Sequence, residues 1–338
     1  MRAVISEKPG ISGLVVRDVP KNEKLGSHDV CVRIYATGLN WRDYFKMTRL
    51  PWCRENPIPG SDGAGEVVAV GDEVTRFRVG DKVITSDYAG WYDGLLTPEK
   101  EALGWDLCYG IDGCMQEYFV MHENGFVKMP KHLSYEEAGV MSTTYGTSFN
   151  AVVVQGQVSL GQTVLIEGTG GLSTASISFA KACGARVIVM GQVQSGLLKA
   201  RELGADEIIN VNEFPDWDKK VLEMTDGEGV DVSIDILAKV SLDKCMLCTK
   251  QNGTVVLEAN LTGAVGTYNM GIPLVRQLTL KGMRVASTKM MERMVRAMEM
   301  FSIKPPIDSV YDMDHVQDAF RRLVDGVEFG KVCVTMYD

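Results

Sequence analysis

From residue 163 to 285, apolar strand-like runs alternate with segments of helical periodicity, and this alternation constrains the fold more than any other feature of the chain. The strand-like runs are "TVLIEG", "RVIVMG", "EIINV", "VDVSIDIL", "GTVVLEA" and "QLTLKGMRV". Between them lie "STASISFAKACGA", "LLKARELGA", "DKKVLEMTDG" and "SLDKCMLCTK". Strands that are apolar throughout must be covered on both faces, and strand–helix–strand repeats supply that cover in a parallel sheet. The segment is therefore expected to be doubly wound α/β.

"GTGGLST" (168–174) lies where the first run passes into the first helical segment. A strand that turns tightly into a helix presents unpaired N–H groups and the positive end of the helix dipole, which together favour a pyrophosphate. Gly168 would make the tight turn, Gly170 would let phosphates approach the backbone, and Ser173 stands where a dinucleotide fingerprint has its third glycine. Thr169, Gly171 and Leu172 complete the turn, and a second strand follows about twenty residues on, as a βαβ unit requires. A carboxylate at the end of that strand would bind the adenosine ribose, whereas a cation would suit a 2′-phosphate. The chain has neither between Met190 and Gly196, leaving Gln192, Gln194 and Ser195 as hydrogen-bonding groups.

Residues 1 to 130 read instead as short β segments bounded by Gly, Pro, Asn and Asp. The pattern changes near Ser134, which with Glu137 has capping-box spacing ahead of a helical stretch. From about Arg284 come a Met-rich helix, an extended piece, another helix and a last strand, "KVCVTMYD", whose partner is expected in the β-rich domain. The expected organisation is a β-rich domain over 1–131, a dinucleotide-binding domain over 132–283 and a return segment over 284–338. A net charge of −9 opposes a nucleic-acid partner. No apolar run approaches the roughly eighteen residues needed to cross a bilayer, and Arg2, Glu7 and Lys8 stand where a signal peptide would be apolar, so a cytoplasmic protein without a membrane partner is expected. Eight scattered cysteines read as reduced thiols. Cys245 and Cys248 have C-x-x-C spacing but no second pair, and read as a buried helix face.

The blocks "GLNWRDY" (38–44), "PIPGSDGAGEVVAVGDEVTRFRVGDKV" (57–83), "TVLIEGTGGLSTASISFAKACGARVIV", "ARELGADEIINV" and "FGKVCV" (329–334) resemble the medium-chain dehydrogenase/reductase superfamily from end to end. Within it the chain is most similar to the zinc-free quinone oxidoreductases and alcohol-dehydrogenase-like proteins. The resemblance implies a doubly wound parallel-sheet (Rossmann) domain plus a β-rich GroES-like catalytic domain, and a homodimer. Zinc-dependent relatives place a Cys where this chain has Asn40, a His where it has Ser61 and a Cys or Asp around Thr143. Amide and hydroxyl oxygens are poor zinc ligands, so no metal is expected there. The stretch matching a four-cysteine structural zinc lobe holds only Cys108 and Cys114.

Without a metal, hydride transfer relies on positioning and on donors aimed at developing charge, which favours enones and quinones over simple alcohols. By resemblance, Asn40, Asp43 and Tyr44 would be catalytic, with Tyr44 a proton donor, and Thr147 would approach the nicotinamide ring. Leu237, Ala238, Ala259, Asn260, Gly330 and Lys331 would complete the cofactor site, Lys331 as the cation near the phosphates. The implied cofactor is NADP, with NADPH ahead of NADH. Several phosphate and ribose contacts of relatives are missing at Gly191, Gln192, Val193, Gly196 and Val211. The alternative is therefore a cofactor-impaired relative repurposed for non-redox isomerisation, cyclisation or binding. Trp52, Trp91, Tyr92 and Trp105 point to an apolar or aromatic small-molecule substrate. His28, His122, His132 and His315 read as surface or capping groups.

Overall fold

The computed structural model describes residues 1–22, 24–49, 54–104, 106–327 and 329–337. Trp52, Cys53 and Trp105 lie outside them. The chain forms two compact units: Met1–Gly146 with Val285–Val327 and Lys331–Asp338, and Thr147–Arg284 with the short return through Gly330.

The first unit begins with β1 (Arg2–Ser6), β2 (Leu14–Asp18), β3 (Asp29–Gly38), α1 (Trp41–Thr48), β4 (Ala64–Val70) and β5 (Lys82–Thr85). It continues through α2 (Pro98–Ala102), β6 (Tyr118–His122), β7 (Phe126–Lys128), α3 (Tyr135–Gly139) and the start of α4 (Ser142–Phe149). The second unit holds β8 (Thr163–Glu167), α5 (Gly171–Ala182), β9 (Arg186–Gly191), α6 (Gln194–Glu202), β10 (Glu207–Asn210) and α7 (Trp217–Met224). It ends with β11 (Val230–Asp235), α8 (Leu242–Cys248), β12 (Thr249–Leu257), α9 (Gly271–Arg276) and β13 (Thr279–Gly282). The return to the first unit supplies α10 (Thr288–Phe301), β14 (Ile307–Asp312), α11 (Val316–Asp325) and β15 (Lys331–Thr335).

The sheet of the first unit runs β14-β15-β3-β4-β5-β7, with β6 also on β3. The last strand, β15, joins antiparallel to β3 and parallel to β14, as its apolar alternation requires. Gly65 of β4 is obligatory, since a β-carbon there would lie 2.0 Å from the Arg33 carbonyl oxygen. Residues 132–146, grouped with the parallel-sheet domain on sequence, pack with the first unit, because α3 lies against β3 and Val140 forms a small core with Ala36 and Cys333. The capping box forms: the Glu137 amide donates to Ser134 Oγ (3.2 Å) and the Ser134 amide to Glu137 Oε2 (2.8 Å). The helical stretch after it breaks at Val140 and ends as a π-helical turn, Asn150–Gln155. The Asn150 side chain holds that wide turn, donating to the Arg284 carbonyl and accepting from Gln155 Nε2.

In the second unit six parallel strands run β10-β9-β8-β11-β12-β13. The order reverses between β8 and β11, and that reversal opens a crevice at the carboxyl ends of the strands. Leu165, Ile188, Ile209, Val230 and Val255 of the sheet bury against Cys245, Met246 and Cys248, so the C-x-x-C pair is indeed part of a buried helix face. Met291, Met294 and Met298 make the buried stripe of α10. Among the described residues no helix is long and apolar enough to cross a membrane. Leu165 is wholly buried in the central strand β8. Leu165→Ala is expected to destabilise the protein by about 2–5 kcal/mol, measurable as a lowered denaturant midpoint.

Candidate active site

The glycine turn of the second unit is built as its sequence suggests. Gly168 has φ 77°, a conformation in which glycine is favoured. Ser173 Oγ donates back to the Glu167 carbonyl at 2.6 Å, locking the start of α5 onto the end of β8. Gly170 caps α5 with no side chain bonded to the first turn, and a β-carbon on it would meet nothing within 4 Å. The turn therefore faces open space with first-turn N–H groups available, the arrangement that binds a diphosphate. Gly330 braces it from behind, donating to the Thr169 carbonyl (3.1 Å) and bridging to Gly170.

Three buried acids stand at the carboxyl ends of adjacent strands: Glu167 on β8, Asp235 on β11 and Glu258 just past β12. Glu167 Oε2 accepts the amides of Ile236 (2.7 Å) and Leu237 (2.9 Å), and Oε1 accepts the Cys245 thiol (3.3 Å). Asp235 Oδ1 accepts the amide of Ala238 (2.7 Å), which sits at φ 60°. The Asp235 carbonyl receives the amides of Glu258 (2.8 Å) and Ala259 (3.3 Å), and Gly263 donates to the Asn260 carbonyl. The Glu167 and Asp235 carboxyls thus shape the loop that carries Leu237, while backbone bonds shape the one that carries Ala259 and Asn260. Burial raises all three, Glu167 above its usual range, Asp235 to about 7 and Glu258 to about 8, with the neighbouring Glu167 adding to the last two. Ligand atoms of Glu167, Asp235 and Cys245 lie within 4.8 Å of one another. Burial holds the Cys245 thiol protonated and Glu167 is spent on amides, so we read them as a hydrogen-bonded cluster. The sequence reading passed over these acids, although their signal is visible: an acid closing an otherwise apolar strand in "TVLIE", "VSID" and "VVLE".

At the end of β9 the polar groups are amides. Asn210 Nδ2 donates to Gln194 Oε1 (3.1 Å), and Asn212 Nδ2 to the Gln192 carbonyl (3.0 Å). Asn210 and Asn212 thereby join the two glutamines singled out from sequence.

In the first unit a second polar cluster forms where β3 runs into α1. Asp43 accepts the amides of Asn40 (3.0 Å) and Ser61 (2.9 Å). Asn40 Nδ2 donates to Ser61 Oγ (3.1 Å) and Asp62 Oδ2 (3.0 Å). Thr143 closes the ring through its amide to Asp62 Oδ1 (2.6 Å) and its hydroxyl to Ser61 Oγ (3.3 Å). Lys331 Nζ enters from β15, donating to the Leu39 carbonyl (2.7 Å) and to Asn40 Oδ1, 3.5 Å from Asp62 Oδ2. All these residues are buried. Burial, and then the Asp62 charge, lift Asp43 to about 6, and burial lowers Lys331. Lys331 was expected beside phosphates; its ammonium is engaged here, with Asp62 as a partner that sequence did not single out.

The other candidates fall outside this ring. Tyr44 packs edge-on against Trp41 with ring centroids 5.7 Å apart. Thr147 is buried on α4. Arg42 pairs with Asp87 and Asp106, tying α1 to the segment that follows β5. Trp91 is buried with its Nε1 on the Gly94 carbonyl, and Tyr92 lies beneath Arg76 and Lys289. The histidines bond to nearby carboxylates or backbone: His28 to Glu123, His122 to the Asn124 amide, His132 to the Ile303 carbonyl and His315 to Asp312.

Comparison with known proteins fits both clusters into one family. The alcohol dehydrogenase GroES-like domain model matches residues 26–131 and the zinc-binding dehydrogenase model residues 171–300. A zinc-type alcohol dehydrogenase-like protein of Schizosaccharomyces pombe is 32% identical over 97% of this chain and 97% of its own. The chain belongs to the medium-chain dehydrogenase/reductase superfamily. A solved superfamily structure, a putative alcohol dehydrogenase from Sinorhizobium meliloti, is 32% identical with a TM-score of 0.89, covering 99% of this chain and 98% of that one. Human quinone oxidoreductase is 25% identical over 88% of this chain and 86% of its own. The fold is accordingly a Rossmann domain with a GroES-like domain, and the chain is an oxidoreductase of an NAD(P)-dependent superfamily.

The acids at the strand ends leave a thermodynamic signature. Asp235 rises from about 3.8 to about 7 on folding, so its contribution to stability is present at acid pH and is lost as pH rises through 7. Asp235→Asn removes that loss. The melting temperature of the variant minus that of wild type is expected to grow by roughly 2–4 °C between acid and mildly alkaline pH, as calorimetry would read.

Proposed function

We propose that this chain is a zinc-independent reductase that passes hydride from NAD(P)H to an activated double bond, in an enone or quinone, or to a carbonyl, of a small apolar or aromatic molecule. The observation that carries this reading is the buried ring of Asn40, Ser61, Asp62, Thr143 and Lys331. By resemblance, Asn40, Ser61 and Thr143 of this ring stand where zinc-dependent relatives have their ligands. Zinc does not fit this donor set: the side chains at the three ligand positions are an amide and two hydroxyls bonded to one another, and an ammonium already balances Asp62. No step is therefore routed through a metal.

A dinucleotide does fit the second unit, where Gly170 leaves open space in front of uncapped amides. Bound there, a reduced nicotinamide would supply hydride. The chain's own groups would fix the acceptor and supply the proton. Lys331 spends its ammonium within the protein and holds Asn40 in one rotamer, which makes it a positioning residue. Asp43 holds both the start of α1 and the Ser61 backbone. Tyr44, one residue on, is the group we assign as proton donor to the developing enolate. NADPH is favoured over NADH, because the stretch from Met190 to Gly196 at the end of β9 carries the side-chain amides of Gln192 and Gln194 and no carboxylate that would repel a 2′-phosphate. The same absence of charged contacts is what favours the second reading, a relative that works on a small molecule without redox chemistry. The edge position of β13 and the exposed Leu274 and Val275 beside it support a homodimer, testable by sedimentation; we further propose that it is cytoplasmic.

The deciding experiment measures dinucleotide oxidation by a quinone and by a short enone before and after chelation. Turnover that survives chelation, in protein with substoichiometric zinc, is expected; one bound zinc per chain or activity abolished by the chelator overturns the reading. Gly170→Ala should leave the melting temperature nearly unchanged and weaken NADPH binding about tenfold or more. Tyr44→Phe should lower kcat while leaving dinucleotide affinity intact.

A further inference from the structure

Glu258 is 8% exposed at the carboxyl end of β12, beside the reversal of strand order. Its Oε1 lies 2.6 Å from Ser148 Oγ, which in turn lies 2.9 Å from the Leu172 carbonyl oxygen in the glycine turn. A hydroxyl has one proton, and the carbonyl can only accept. Ser148 has one proton for two acceptors, Glu258 Oε1 and the Leu172 carbonyl, so both contacts are hydrogen bonds together only when the carboxyl carries a proton. Glu258 Oε2 makes no hydrogen bond of normal geometry, although the Ser176 hydroxyl faces the carboxyl, and a buried neutral acid tolerates that far better than a carboxylate.

Among the described residues no cation is paired with Glu258. Glu167 and Asp235 are themselves acids, the Cys245 thiol lies behind Glu167, and α4 and α5 present the hydroxyls of Ser148 and Ser176. The lysines of the packed elements are committed elsewhere: Lys181 to Asp206, Lys244 to the Pro215 carbonyl and Asp218, Lys250 to Asp231, and Lys281 to the Gln155 carbonyl. Burial accordingly lifts Glu258 to about 8.

Resting on the dinucleotide reading above, we propose that Glu258 senses the oxidation state of the cofactor, standing neutral against the uncharged reduced ring and releasing its proton to solvent when the cationic oxidised ring binds. A reduced nicotinamide ring carries no charge and an oxidised one carries a full positive charge, so the two place opposite demands on a buried acid at this strand end. At neutral pH the acid must give up a proton before it can serve as counter-ion, which weakens retention of the oxidised product and favours its release and the reductive direction. As pH rises the ionised acid retains the oxidised form.

The test titrates wild-type protein and Glu258→Gln with oxidised and reduced dinucleotide across the range that brackets pH 8, reading binding by protein fluorescence and proton release with an indicator in weak buffer. Glutamine can still donate to Ser148, so the variant keeps the local hydrogen bond. In wild type, affinity for the oxidised form is expected to rise about tenfold over the range with proton release, while affinity for the reduced form is flat. In the variant both are flat and no proton appears. A pH-independent affinity ratio in wild type, or equal proton release by the variant, overturns the proposal alone. Failure of either dinucleotide to bind at millimolar concentration overturns it together with the dinucleotide reading.

Discussion

An ammonium group taken out of water costs several kcal/mol unless its protons are satisfied, and the first unit is organised around meeting that requirement for Lys331. The Leu39 carbonyl, Asn40 Oδ1 and Asp62 surround it. They come from two stretches of chain, residues 39–40 and residue 62, so the interaction fixes β15 against the end of β3 and against the turn before β4. Asp62 is held in turn by Thr143 and Asn40, and Asn40 by Asp43. Removing one partner would leave a charge or an amide unpaired in a dry setting, which is more costly than never having built the pair.

The second unit solves a similar problem with protons. Its acids sit at the ends of apolar strands, where ionisation is expensive, and are stabilised by backbone amides, hydroxyls and a thiol. The two halves of the molecule thus represent two ways of keeping polar chemistry in a low-dielectric interior: a paired cation with its carboxylate, and carboxyls that hold on to hydrogen. Both hold their polar groups in fixed positions through the hydrogen bonds of the fold.

What was legible in the sequence follows the range of the interactions. The glycine turn, the Ser134–Glu137 cap, the buried face of α8 and the parallel sheet are set by neighbours within a few residues or by periodicity, and each is found where the pattern puts it. The break at Val140 was hidden, because small core residues such as Ala36 and Cys333 decide it from far away in the chain. The Lys331 network was equally hidden: nothing local at residue 331 tells of residues 39, 40 and 62. Asn40 and Asp43 came forward through family likeness, whereas Asp62, the acid that completes their site, carries no signal until the strands are paired.

Gly330 and Lys331 are synthesised after the glycine turn and the strands that they brace. Gly330 braces the glycine turn, and Lys331 opens the strand that fills the gap between β14 and β3. During synthesis the nascent chain emerges with its first sheet lacking an interior member and its turn unsupported. Neither unit reaches its finished form until residues 330 and 331 have emerged from the ribosome. The exposed edge of β3 is thus a temporary liability that chaperones would have to shield.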